Sequence, residues 1–311
     1  MNFMDVQRDL QAQKILKENG LDFTIEKRKL VDQTDVLTNP FDKTLKPTST
    51  PYYALKNMKT NKYIYNCTGS YHVSQTKDLL DLVLKGINEI GQVSVQKGGS
   101  INGGKRTFLQ LKIAGQSKVG NDDISKYLTV LDSNDGSSAI SFGIGDLTAS
   151  CMNQFFQFYK EAETKIYHSQ SMEEKLLDVP NIIYMQMQES FKMIELYNEF
   201  QSTSITKDLS HQMVNQLIGI DRTFSKNELE KLEISSRKIN TMGKIYSHID
   251  KEINNKGLNL WGLHSGITSY NTHARSVPRR TNGRLESLIM GSAYKDNHKS
   301  LEFCKSMLVA N

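Results

Sequence analysis

The chain has 311 residues, 38% hydrophobic and 23% charged, with 39 Lys+Arg against 34 Asp+Glu and a formal net charge of +5 at pH 7. That apolar content supports a buried core and argues against wholesale disorder, and the length admits one large domain or two smaller ones. The polar, acid-bearing start MNFMDVQRDL does not match a secretory signal, and no apolar run nears the ~20 residues of a membrane span, so an intracellular protein without membrane contact is expected.

In chain order, Val6–Glu18 has helical spacing (Val6, Leu10, Ile15, Leu16) and stops at Asn19-Gly20, a carboxyl-terminal cap signal. A strand is expected over Phe23–Leu30, then a polar loop from Val31 to Pro51 with three prolines. Tyr52–Lys56 and Lys62–Cys67 alternate around Met58–Asn61 and predict a hairpin. Thr76–Ile90 places Leu79, Leu80, Val83, Leu84 and Ile87 on one helical face and ends at Gly91. Four strands follow at Gln92–Gln96, Thr107–Ile113, Tyr127–Leu131 and Ala139–Ile144. Gly98-Gly99, Gly103-Gly104 and Asn134-Asp135-Gly136 supply turns for an antiparallel meander. A helix is expected over Cys151–Glu163, with Phe155, Phe156, Phe158 and Tyr159 against the sheet. Beyond Met172 strand signals vanish: Asn181–Phe200, Lys207–Ile218, Lys226–Asn254, Gly257–Tyr270 and Leu285–Leu308 predict helices. The fold class is therefore α+β, with a sheet domain over 1–170 and a helical region over 171–311.

Two windows free of acids concentrate positive charge. In Gly91–Asn121, Lys97, Lys105, Arg106, Lys112 and Lys118 meet no Asp or Glu between Glu89 and Asp122; in Asn259–Arg284, Arg275, Arg279, Arg280 and Arg284 meet none before Glu286. A polyanion is the partner such windows suit. A single-strand binder needs cations for phosphates and flat side chains for bases. The Gly98–Phe108 segment has both, with glycines permitting close backbone approach, Lys105 and Arg106 as charge, and Phe108 as a face. Arginine forks suit phosphate bidentately. The alternative is solvated surface, with Phe108 in the core, and for the arginine window also a set of salt bridges between protomers; Tyr270, beside Trp261 and Ile267, is read as core. The nucleic-acid-binding candidates are Lys97, Lys105, Arg106, Phe108, Lys112, Arg275, Arg279, Arg280 and Arg284.

Catalytic signals are thin. Gly103-Gly104-Lys105 lacks the spaced glycine and Ser/Thr of a P-loop. Asp122, Asp123, Asp132 and Asp135 form the nearest carboxylate cluster for a metal-dependent nuclease, at strand ends and turns where Asp is common anyway. Cys151 with His168 or His273 is a nucleophile-and-base alternative to a buried structural thiol. Cys67, Cys151 and Cys304 are scattered without a CxxC, and the seven histidines show no HExxH, so zinc is unsupported.

Three ordered segments carry a resemblance: Tyr127-Leu128-Thr129-Val130-Leu131-Asp132-Ser133-Asn134-Asp135-Gly136-Ser137-Ser138; Cys151-Met152-Asn153 with Lys165-Ile166-Tyr167-His168-Ser169; and Trp261-Gly262-Leu263 with Ile267-Thr268-Ser269-Tyr270 and His273. Together they resemble the phage- and plasmid-like proteins that share a large domain of unknown function, over roughly Leu10–Leu308. The chain departs from that pattern at Asn134, where the family has histidine, and at Thr148, where it has arginine. The resemblance implies DNA metabolism on a mobile element in a bacterial cytoplasm. The meander-then-helix order is in turn similar to RecT/Redβ-like single-strand annealing proteins. The expectation is thus non-sequence-specific binding of single-stranded DNA or RNA, with strand annealing in phage or plasmid recombination, by a homo-oligomer that needs no cofactor. The alternatives are a metal-dependent nucleic-acid-processing enzyme and an interaction protein that docks a host or phage partner through Lys226–Asn254.

Overall fold

A computed structural model describes residues 3–38, 41–88, 93–148, 154–157, 165–220, 234–277 and 283–309. The protein is α+β, with its strands before Met172 and mainly helices after it. It divides into two compact units. The first comprises Met1–Ala114, Tyr127–Gly143 and Phe158–Met187, and the second comprises Gly115–Lys126, Ile144–Gln157 and Gln188–Asn311.

The first unit opens with α1 (Phe3–Glu18), which closes at Gly20 in a left-handed conformation. A three-stranded antiparallel sheet follows in the order β1 (Ile25–Asp32), β2 (Thr48–Asn57), β3 (Lys62–Thr68). Its Ile25, Leu55, Ile64 and Cys67 form a small apolar core with Phe23, Tyr53, Tyr65 and Tyr71 packed on it. The polar stretch Val31–Pro51 is more ordered than a plain loop. Asp32 accepts from the Thr34 backbone N–H at 2.8 Å and starts the short α2 (Thr34–Thr38), and β2 begins three residues before Pro51. Proline is tolerated there because the β1–β2 register shifts between Lys29 and Val31, so no regular ladder bond is lost. Next, α3 (Thr76–Asn88) buries Leu79, Leu80, Val83, Leu84 and Ile87, as its spacing predicts.

The second sheet has seven strands: β4 (Val93–Ile101), β5 (Arg106–Ile113), β6 (Ser117–Val119), β7 (Asp122–Ser133), β8 (Ile140–Thr148), β9 (Gln154–Gln157) and β10 (Lys165–Ile166). The order is β10-β8-β7-β5-β4, with β6 on β7 and β9 on β8; β4, β5, β7 and β8 are the expected meander, and β6, β9 and β10 add to it. Gln154–Gln157 is not part of a helix but pairs antiparallel with Ile144–Leu147 of β8, because Gln-Phe-Phe-Gln suits the pleated edge that β8 offers. Residues 151–153 and 158–163 lie outside the described residues.

In chain order α4 (Met172–Leu176), α5 (Val179–Ser202), α6 (Lys207–Ile218), α7 (Ser236–Lys256) and α8 (Leu260–Ser269) come next. A π-helical turn, Tyr270–Ala274, precedes α9 (Gly283–Met290) and α10 (Ser292–Val309). The single helix expected over Leu285–Leu308 is two: at Gly291 a side chain would place its Cβ 2.8 Å from Ser287 Cα, and the chain bends there. Trp261, Tyr197, Phe200, Ile245, Ile249, Leu263, Ile267 and Cys304 centre the core of the second unit. Tyr270, 6% exposed, belongs to that core, as read from sequence.

Candidate functional site

In the first unit, the two quoted motif segments Tyr127–Ser138 and Lys165–Ser169 meet. Asp132 is at the end of β7 and His168 just after β10, and His168 Nε2 lies 3.1 Å from Asp132 Oδ1. Ser74 donates its hydroxyl to Asp132 Oδ2 at 2.5 Å, and Tyr71 stacks on the His168 ring at 4.8 Å while donating its own hydroxyl to the Ser133 carbonyl. His168 Nδ1 sits 2.9 Å from the His72 carbonyl, and the His72 N–H returns a bond to the His168 carbonyl. The link between β3 and α3 is thereby tied to both motif segments.

The charge state of His168 follows from these partners. Burial pulls its pKa down, but the Asp132 carboxylate and the His72 carbonyl outweigh it and hold the imidazole above its ordinary value. Nδ1 faces the His72 carbonyl and Nε2 meets Asp132 Oδ1 as an ion-pair contact outside hydrogen-bond geometry, so the protonated ring gains from the carboxylate and the neutral ring does not. Ser74 donates to the carboxylate rather than to the imidazole, so no basic nitrogen is aimed at a hydroxyl nucleophile. That geometry suits a structural bolt, not an acyl-transfer triad. Sequence reasoning considered Asp132 and His168 separately and missed their pairing. Their places in two motif segments were the available signal.

The turn after β7 is equally occupied. Asp135 accepts from the Ser133 hydroxyl at 2.7 Å and the Ser137 N–H at 3.1 Å. Burial raises its pKa, yet the bonds from Ser137 and Ser133, with Arg106 nearby, hold it below the usual carboxylate value. Arg106 Nε donates to Ser137 at 2.9 Å and lies 3.5 Å from Asp135, so this guanidinium braces the motif turn. Gly136 is required there: its φ is +68° and the Tyr65 hydroxyl would sit 2.6 Å from a Cβ.

Of the other first-window residues, Phe108 is 1% exposed and packs in the core. Gly98-Gly99 is not a turn but lies inside β4, with Gly98 opposite Leu109, and both it and Gly104 serve internal packing: a Cβ on Gly104 would lie 2.8 Å from Asn57 Nδ2, and one on Gly98 would lie 2.8 Å from Leu109. Lys97 is exposed on β4, and Lys105 and Lys112 are half-buried. Lys97 opposes Gln110 in the β4–β5 ladder, so Lys97 and Lys112 share one face.

In the second unit, Arg275 donates to Asp296 at 2.5 Å, to Asn271 at 2.9 Å and to Ser292 at 3.2 Å. Arg284 donates to the Thr272 carbonyl at 3.0 Å. Both arginines thus hold the π-helical turn. Arg279, Arg280 and Cys151 lie outside the described residues. Asp122, in this unit, accepts from Trp261 Nε1 at 2.9 Å and pairs with Lys256. Asp123 is 3.9 Å from Lys118. Among the described residues no three His, Cys, Asp or Glu side chains are arranged to hold a metal ion. The carboxylates offered for metal chemistry instead serve hydrogen bonds and ion pairs. His264 is fully buried on Ser300, and burial pushes its pKa down to about 3, so it is a neutral core histidine.

No curated protein and no solved structure matches the chain. The family model described as Domain of unknown function (DUF932) matches residues 66–290, well over half the chain. The protein belongs to that family.

Proposed function

We propose that the chain binds single-stranded nucleic acid without sequence preference. The observation that supports the reading is the state of three lysines in the acid-free window: Lys97, Lys105 and Lys112 form no ion pair among the described residues, whereas Arg106 and Arg275 are committed to carboxylates. Cations without an internal partner are the ones that can release counterions from a phosphate backbone. The finer reading extends from the resemblance: annealing of complementary strands, by an oligomer, in the cytoplasm of a host carrying a phage or plasmid.

The experiment is a titration of labelled oligonucleotides, single- and double-stranded, at several salt concentrations. Preference for single strands that weakens steeply with salt supports the reading. An absence of binding at low salt overturns it. Faster pairing of complementary strands in the same sample supports the annealing step.

A further inference from the structure

The face of the β1–β2–β3 sheet turned away from its core carries aromatic rings that the core does not use. Residues directly opposite in a ladder project to the same side. Along β2, Ala54 opposes Arg28 and Asn66, Lys56 opposes Glu26 and Tyr63, and Tyr52 opposes Thr68. The other side belongs to Ile25, Leu55 and Cys67, which form the core. Tyr52 is 55% exposed and Tyr63 is 60% exposed, and the Lys56 ammonium lies 5.3 Å from the Tyr63 ring centroid.

Single exposed aromatics are ordinary. Here two share a face with a cation, on either side of Ala54, which is itself buried at 2% exposed. Glu26, the carboxylate on this face, is bound by Arg28 through Nε at 3.1 Å and Nη2 at 2.8 Å, so Lys56 keeps its charge for a partner. On this face Arg28 and Lys56 stand against Glu26, two cations to one carboxylate, which favours an anionic occupant. A polyanion that also has flat, apolar faces is a single-stranded nucleic acid; an acidic peptide would use the lysine and leave the rings without a role.

We infer that this sheet face is a base-stacking platform, with Tyr52 and Tyr63 as the stacking surfaces and Lys56 as a phosphate contact. The inference rests on the reading that the chain binds single strands, and adds a surface that sequence analysis did not single out. Tyr52, Lys56 and Tyr63 all precede residue 66, where the family match begins.

The test compares oligo-dT with an abasic oligomer of equal length and charge, by fluorescence anisotropy, for the full-length wild type, Y52A/Y63A and Y52F/Y63F. Stacking predicts that the wild type prefers oligo-dT by about tenfold or more. The alanine variant should lose that preference while still binding the abasic strand, and the phenylalanine variant should keep it. Equal wild-type affinity for the two oligomers overturns the platform and leaves the binding function standing, as does an alanine variant that keeps the preference. A wild type that binds neither oligomer removes the underlying reading itself. The wild-type comparison needs no variant, so the test holds even if Y52A/Y63A folds poorly.

Discussion

At the scale of single residues, buried partners decide what a motif side chain does. His168 is 5% exposed and Asp132 1% exposed at their side chains, and they face each other across 3.1 Å. A histidine whose folded pKa is raised stabilises the fold fully below its unfolded pKa, and that contribution is lost as pH rises through the folded value. Stability should therefore fall as pH rises from the ordinary histidine value of about 6.5 through the raised folded value, through the loss of this one charge. Thermal melts of the wild type and His168→Phe across that range check it: the variant should be less stable, by about 3 to 5 kcal/mol at the acidic end, and should show a flatter pH profile. A wild-type profile as flat as the variant's would count against the charged bolt. Trp261→Phe makes a parallel case. It removes the N–H that Asp122 accepts, and urea unfolding should report a loss of about 1 to 3 kcal/mol.

These residues also measure how far a sequence can be read. Tyr270 as core and the turn at Asn134-Asp135-Gly136 were legible, because apolar spacing and turn chemistry are local signals. The partners of Arg106, Arg275 and Asp132 were not. Arg106 looks like a free cation in a window without acids, yet the chain brings Asp135 and Ser137 to it from the far side of β7. Charge balance along a sequence does not report charge balance in space.

At the scale of elements, α7 and α8 pack through glycine. Gly262 and Gly266 stand four residues apart on one face of α8, where a Cβ at Gly262 would come 2.6 Å from the Gly257 carbonyl oxygen and one at Gly266 would meet the Ile249 backbone. Gly266→Ala should thus force the helices apart and cost about 1 to 3 kcal/mol by overpacking, read from the urea midpoint. An unchanged midpoint would mean that the contact yields more easily than its geometry implies. Element boundaries were largely legible: α3, the β2–β3 hairpin, the meander and α5 follow their periodicity closely. The reading was corrected at β9, where the cause was tertiary, and at the break between α9 and α10, where the contact is local. The pairing with β8 overrode a helical pattern, and what looks like one helix bends at Gly291, where a Cβ would meet the backbone of Ser287 one turn earlier.

At the scale of the whole molecule, the proposed function makes an electrostatic prediction. Lys97→Ala and Lys112→Ala should weaken single-strand binding alike for every sequence, and each should lower the slope of log affinity against log salt by about 0.7. Binding isotherms over a salt series with two unrelated oligonucleotides check both points. Affinity that changes for one sequence only, or a slope that does not move, would relocate the phosphate contacts away from β4–β5.

The sequence by itself determined the α+β class, the order of nearly every element and the two stretches without acids, because periodicity, turn residues and composition are properties of short segments. Tertiary structure alone decided that each compact unit is assembled from three separate stretches of chain. It also decided which cations have internal partners, that His168 and Asp132 form one bolt, and that Tyr52 and Tyr63 stand on the outer side of a sheet. Each of these depends on groups far apart in the chain that meet only when strands pair and helices pack, and no local pattern encodes that meeting.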